Sequence, residues 1–79
     1  MGILSSIRVD LEELASKTAQ IGKELDEQSM DLYRTSAQLG ADGDDERAHA
    51  YRVLAESAAA HVSKLRELGI RVQQLGDSI

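Results

Sequence analysis

Two long runs of the chain repeat apolar residues at alternating spacings of three and four, which restricts the fold to long amphipathic helices packed side by side. In the first run Leu4, Ile7, Leu11, Leu14, Thr18, Ile21, Leu25, Gln28, Leu32, Thr35 and Leu39 keep the phase. In the second Tyr51, Leu54, Ala58, His61, Leu65, Leu68, Val72, Leu75 and Ile79 do so. These are a and d positions of a seven-residue repeat. Proline is absent, so nothing forces a break in either run. Strong helix formers (Ala, Leu, Glu, Gln, Arg and Lys) fill much of the remainder.

Only Gly40-Ala41-Asp42-Gly43-Asp44-Asp45 reads as a connection. Gly40 is expected to cap the first helix, and Asp44 or Asp42 the second. Asp45 and Glu46 would then sit in a first turn, where negative charge suits the helix dipole. Upstream, Asp10-Leu11-Glu12-Glu13 has the spacing of a capping box, with Val9 and Leu14 placed as a hydrophobic staple. The expected helices therefore run from about 10 to 40 and about 45 to 78. The turn falls at about 40 to 44, and Ile3 to Val9 would form an extended arm; alternatively, because Leu4 and Ile7 keep the heptad phase, the first helix starts near residue 3.

So short a connection forces the helices antiparallel. The predicted fold is all-α, a single helical-hairpin domain over residues 1–79. Folding the runs about the turn sets Leu11 against Leu75, Leu14 against Val72, Thr18 against Leu68 and Ile21 against Leu65. Leu25 then meets His61, and Leu32 meets Leu54. The expected hairpin core is thus Leu11, Leu14, Ile21, Leu25, Leu32, Leu54, Leu65, Leu68, Val72 and Leu75. Gln28 and His61 would form a polar layer within it that fixes the register.

Beside each a/d stripe runs a second one at the e position. It comprises Ala15, Gly22, Ser29 and Ser36, then Ala48, Ala55, Val62, Gly69 and Gly76. All but Val62 are small. Glycine inside a helix costs about 1 kcal/mol relative to alanine, so three mid-helix glycines on one stripe suggest close approach of another helix. Ala15, Gly22, Ser29, Ala55, Val62, Gly69 and Gly76 are accordingly expected to contact a second hairpin.

A second hairpin is expected because 79 residues bury little core alone. Disulfides, metals or association usually make up the deficit. Cysteine is absent. His49 and His61, the only histidines, stand roughly three turns apart on one helix, too far to share a metal. Association remains, and two hairpins would form a four-helix bundle as a homodimer or a heterodimer.

Other functions find little footing. A net charge of −5 with scattered basic residues offers no cationic patch for nucleic acid. No apolar run approaches the ~20 residues of a membrane span, and no signal peptide is evident. Met1-Gly2-Ile3-Leu4-Ser5-Ser6 fits the short N-myristoylation pattern, but no basic cluster supports a single acyl anchor. Adjacent carboxylates such as Glu12–Glu13 and Asp26–Glu27 point to different helix faces. No catalytic, metal, cofactor or small-molecule site is expected, and the chain reads as non-enzymatic.

Ile7-Arg8-Val9-Asp10-Leu11-Glu12-Glu13-Leu14 resembles the entry "I-x-V-D-x-E-x-L" into the first helix of the WXG family of type VII secretion proteins. Length, hairpin form, acidity and small-residue faces resemble that family too. The turn here lacks the family's Trp-x-Gly, and Tyr51 is followed by Ala55 where the family's export signal has Asp or Glu. The resemblance implies a small type VII secretion substrate that pairs with itself or a paralogue, or a helical partner of a larger secreted toxin. It would be made in the cytoplasm and leave the cell without a cleaved signal peptide, the export signal being carried by the partner. The alternative is a cytosolic coiled-coil adaptor or assembly subunit.

Overall fold

The computed structural model describes residues 2–79. Among them are two helices, α1 (Ile3–Ala41) and α2 (Asp45–Asp77), folded into a hairpin rod of 63 × 13 × 11 Å. At 1.5 Å per residue, the 39 residues of α1 account for about 58 Å of that length.

α1 begins at Ile3, two turns earlier than the capping box suggested. Ile3 to Val9 are helical, and Asp10 is an interior residue. The reason is local. Leu4 and Ile7 continue the apolar stripe, nothing before Asp10 breaks a helix, and the first N–H groups of α1, which have no side-chain cap, lie at exposed residues where water can take them. Ser6 N–H already donates to the Gly2 carbonyl at 3.1 Å.

The first helix ends at Ala41, one residue after Gly40, and the glycine that closes it is Gly43. Asp44 N–H donates to Leu39 C=O at 2.9 Å, and Gly43 N–H to Gly40 C=O at 3.1 Å. This pair of bonds is a Schellman motif, and it needs a left-handed residue between the helices. Gly43 supplies it with φ of +85°. Asp44 then caps α2: its carboxylate accepts from Arg47 N–H at 3.2 Å. Asp45 and Glu46 occupy the first turn as expected.

The hairpin register is close to the one read from the sequence, but the face is not. Gly22 lies beside Leu65, Thr18 beside Gly69, and Leu11 beside Gly76. Each pair is displaced by one residue from its expected partner. The seam therefore runs along a and e. On α1 it follows Leu11, Ala15, Thr18, Gly22, Leu25, Ser29, Leu32, Ser36 and Leu39, all buried or half-buried. On α2 it follows Ala48, Tyr51, Ala55, Ala58, Val62, Leu65, Gly69, Val72 and Gly76. An a/e stripe has the same three-four alternation as an a/d stripe, so it serves a helix pair equally well. Small e residues let the helices come close, and Ala55 and Val62 are the buried apolar residues, at 0% and 3% exposed.

Candidate interaction surface

Of the ten residues expected in the core, Leu11, Leu25, Leu32, Leu65 and Val72 lie half-buried in the seam. The other five, Leu14, Ile21, Leu54, Leu68 and Leu75, do not. Each is 49–56% exposed. Conversely, the residues expected to meet a second hairpin (Ala15, Gly22, Ser29, Ala55, Val62, Gly69 and Gly76) are taken up inside the hairpin itself. Three residues correspond to a rotation of about 60° short of a full turn. The d positions consequently sit just outside the seam.

Antiparallel packing turns the d flank of both helices to the same side of the rod. Leu14 falls level with Leu75, and Ile21 with Leu68. The opposite flank is different in kind. It holds an open groove of about 450 Å³ whose lining includes Ala15, Gly22, Asp26, Arg66, Gly69 and the exposed Ile70, but none of Leu14, Ile21, Leu54, Leu68 and Leu75. One broad side of the rod is thus leucine-rich, and the other is grooved and edged by charge.

Gln28 and His61 lie in the middle of the leucine-rich side, again level with one another. Both are exposed, so the polar layer is not within the hairpin seam. His61 Nδ1 is 2.7 Å from the Ser57 carbonyl oxygen. A carbonyl only accepts, so Nδ1 carries the proton in that bond, and in the neutral ring Nε2 is left as an acceptor.

The polar residues that do join the helices are ones the sequence reading passed over as merely small. Ser29 Oγ donates to Ala55 C=O at 3.2 Å, and Ser36 Oγ to Ala48 C=O at 2.6 Å. Thr18 Oγ1 turns back to Leu14 C=O of its own helix at 2.8 Å. Among the described residues, no buried side-chain nitrogen or oxygen lacks a partner. A serine whose hydroxyl must reach the neighbouring backbone is recognisable only once that backbone is known to pass nearby.

Charge edges the leucine-rich side asymmetrically. Asp10, Lys17, Glu24 and Asp31 follow its margin on α1, and Lys64 and Arg71 its margin on α2, all exposed. The ion pairs, Arg34–Asp31 and Arg47–Asp44, are local to one helix or its cap. No helix among the described residues is long and apolar enough to cross a membrane. No cluster of three or more metal-ligating side chains occurs among them. The chain matches no family model, no curated protein and no solved structure.

Proposed function

We propose that this chain is a non-catalytic helical docking module that covers its leucine-rich side with another helical hairpin. One observation carries the reading. The more apolar stripe of each helix is aimed about 60° away from the chain's own seam, which leaves Leu14, Ile21, Leu54, Leu68 and Leu75 half in water. A hairpin sufficient by itself would point that stripe inward. In a four-helix bundle the axis lies to one side of each helix pair, so a and d residues point at the common core. Five half-exposed Leu and Ile side chains on one side also exceed the scattered apolar residues that an ordinary surface tolerates. Burial of such area is favourable at roughly 25 cal/mol per Å².

The process we propose is type VII secretion, as a WXG-like helical partner of a secreted protein. The Ile7–Leu14 entry sequence and the hairpin architecture support it, while the turn lacks Trp and so departs from the family pattern. Detection of the chain outside cells only when the secretion machinery and the partner are both present would support that assignment. Export without either would refute it.

Docking itself is tested by Ile21→Glu and, separately, Leu68→Glu, with helix content and solution mass read together. Both sites are solvent-facing in the hairpin, so the substitutions remove no contact of the hairpin itself, and any fall in helix content should follow the loss of association. The associated species should weaken about 100-fold or more, because apolar burial is lost and a charge is brought into the contact. Unaltered association in both variants would mean that the surface is not the docking side.

A further inference from the structure

We infer that the Asp42–Gly43 bond of the hairpin turn is a modification site, at which the chain converts its own backbone to a β-linked isoaspartyl form once the turn opens. The closed turn holds the reaction off. The reaction, once it has run, removes the turn.

The sequence singles the bond out. The chain contains no asparagine, and of its aspartates Asp42 alone precedes a glycine. Glycine has no side chain to obstruct attack by its own nitrogen. Asp42 and Gly43 are both exposed in the turn, so water reaches them. Asp77–Ser78, at the end of α2, is the next least hindered pair.

The chemistry needs only water. The Gly43 nitrogen attacks Cγ of the protonated Asp42 carboxyl. An N–Cγ bond forms, the Cγ–OH bond breaks, and the amide proton leaves with that hydroxyl as water. The product is a five-membered cyclic imide. Water then adds at one of its two carbonyls. Opening at the main-chain carbonyl leaves the chain linked through the Asp42 side chain, one methylene longer, with the α-carboxyl free.

The folded turn opposes ring closure in three ways. Closure requires the Gly43 nitrogen to lie on the Cβ side of Asp42. The Asp42 ψ of −2° turns that nitrogen toward Asp42's own nitrogen instead. Gly43 N–H is also engaged with Gly40 C=O at 3.1 Å. Asp42 Oδ1 accepts from Gln38 Nε2 at 3.2 Å, which draws the carboxyl back along α1. Reaction therefore follows opening of the turn, and its rate tracks the open population. Afterwards the extra methylene displaces Gly43 and Asp44 from α1. The Gly43–Gly40 and Asp44–Leu39 bonds then cannot both re-form, and the Schellman closure is lost.

The full chain is incubated at neutral pH, once in urea and once folded, at a temperature where its helix content is intact. Chromatography with electron-transfer fragmentation then counts the β-linked form and places it. Modification should appear at Asp42 in urea and run at least about tenfold slower in the folded chain. Asp42→Glu should abolish it. Asp44→Ala, which loosens the cap beside the turn, should raise the folded rate about fivefold relative to its own rate in urea. The isolated β-linked chain should melt below its parent. No modification in urea, or modification confined to Asp77, would overturn the site. Equal rates in the folded chain and in urea, or no effect of Asp44→Ala on their ratio, would overturn protection by the closed turn. A β-linked chain that melts with its parent would overturn the loss of the turn.

Discussion

Glycine is the residue type whose role the structure changes most. Gly22 and Gly69 looked like concessions to a close helix contact. A Cβ built at Gly22 would lie 3.8 Å from Leu65 Cβ, and one at Gly69 would lie 3.8 Å from Thr18 Cγ2. Both are ordinary contact distances, so a methyl group fits. Gly22→Ala and Gly69→Ala should therefore each raise stability by roughly 0.5–1 kcal/mol through the helix entropy that glycine forfeits. Chemical denaturation would register the gain, and a loss at either site would show that the helices sit closer than described. Gly69→Leu, by contrast, should pry open the hairpin seam. Gly43 behaves oppositely. Its φ of +85° disfavours any Cβ, and Gly43→Ala should cost about 1–2 kcal/mol. Asp44→Ala should cost about 1 kcal/mol, because the cap on Arg47 N–H is lost. Equal effects from Gly22→Ala and Gly43→Ala in the same denaturation series would contradict this division of roles.

At the scale of the helices, much was legible in the residue pattern, and the remainder was not for identifiable reasons. Two uninterrupted apolar phases and one Gly/Asp-rich break define two antiparallel helices, and the loop length fixes their register closely enough that Leu11 meets Gly76 rather than Leu75. Which stripe forms the seam was not legible. The a/d and a/e pairs share one spacing, and the choice between them depends on what else the helix packs against. Apolar content favoured Leu14 and Leu68. Backbone proximity and serine bonding favoured Ser29 and Ala55 instead. The start of α1 was open between residues 3 and 10 for a similar reason: a capping-box spacing at Asp10 is a local signal, and continued helix through Leu4 and Ile7 outweighs it. The seam serines give this scale its own prediction. Ser36→Ala removes a bond to Ala48 C=O across the helices and should destabilise the hairpin by about 1 kcal/mol. Thr35→Ala, whose hydroxyl bonds only within α1 at an exposed site, should cost far less by the same thermal measurement. Equal costs would remove the inter-helix bond from the account.

The whole molecule is a rod with very little interior. Among the described residues no large side chain is fully buried, and Ala55 and Val62 make up the buried apolar set. On the proposed reading, most of the remaining stability comes from the partner that covers the leucine-rich side, and folding and association become one equilibrium. The polar layer offers a check in the opposite sense. Gln28→Leu combined with His61→Leu should tighten the assembly while loosening its register, seen as a higher melting temperature together with cross-linking at more than one pairing. The most direct measurement is the thermal midpoint of the wild-type helices across a wide range of chain concentration, run beside Ile21→Glu. The account predicts a midpoint that climbs with concentration in the wild type, and a low, concentration-independent one in the variant. A high midpoint that is independent of concentration and unmoved by Ile21→Glu would mean that the hairpin stands alone.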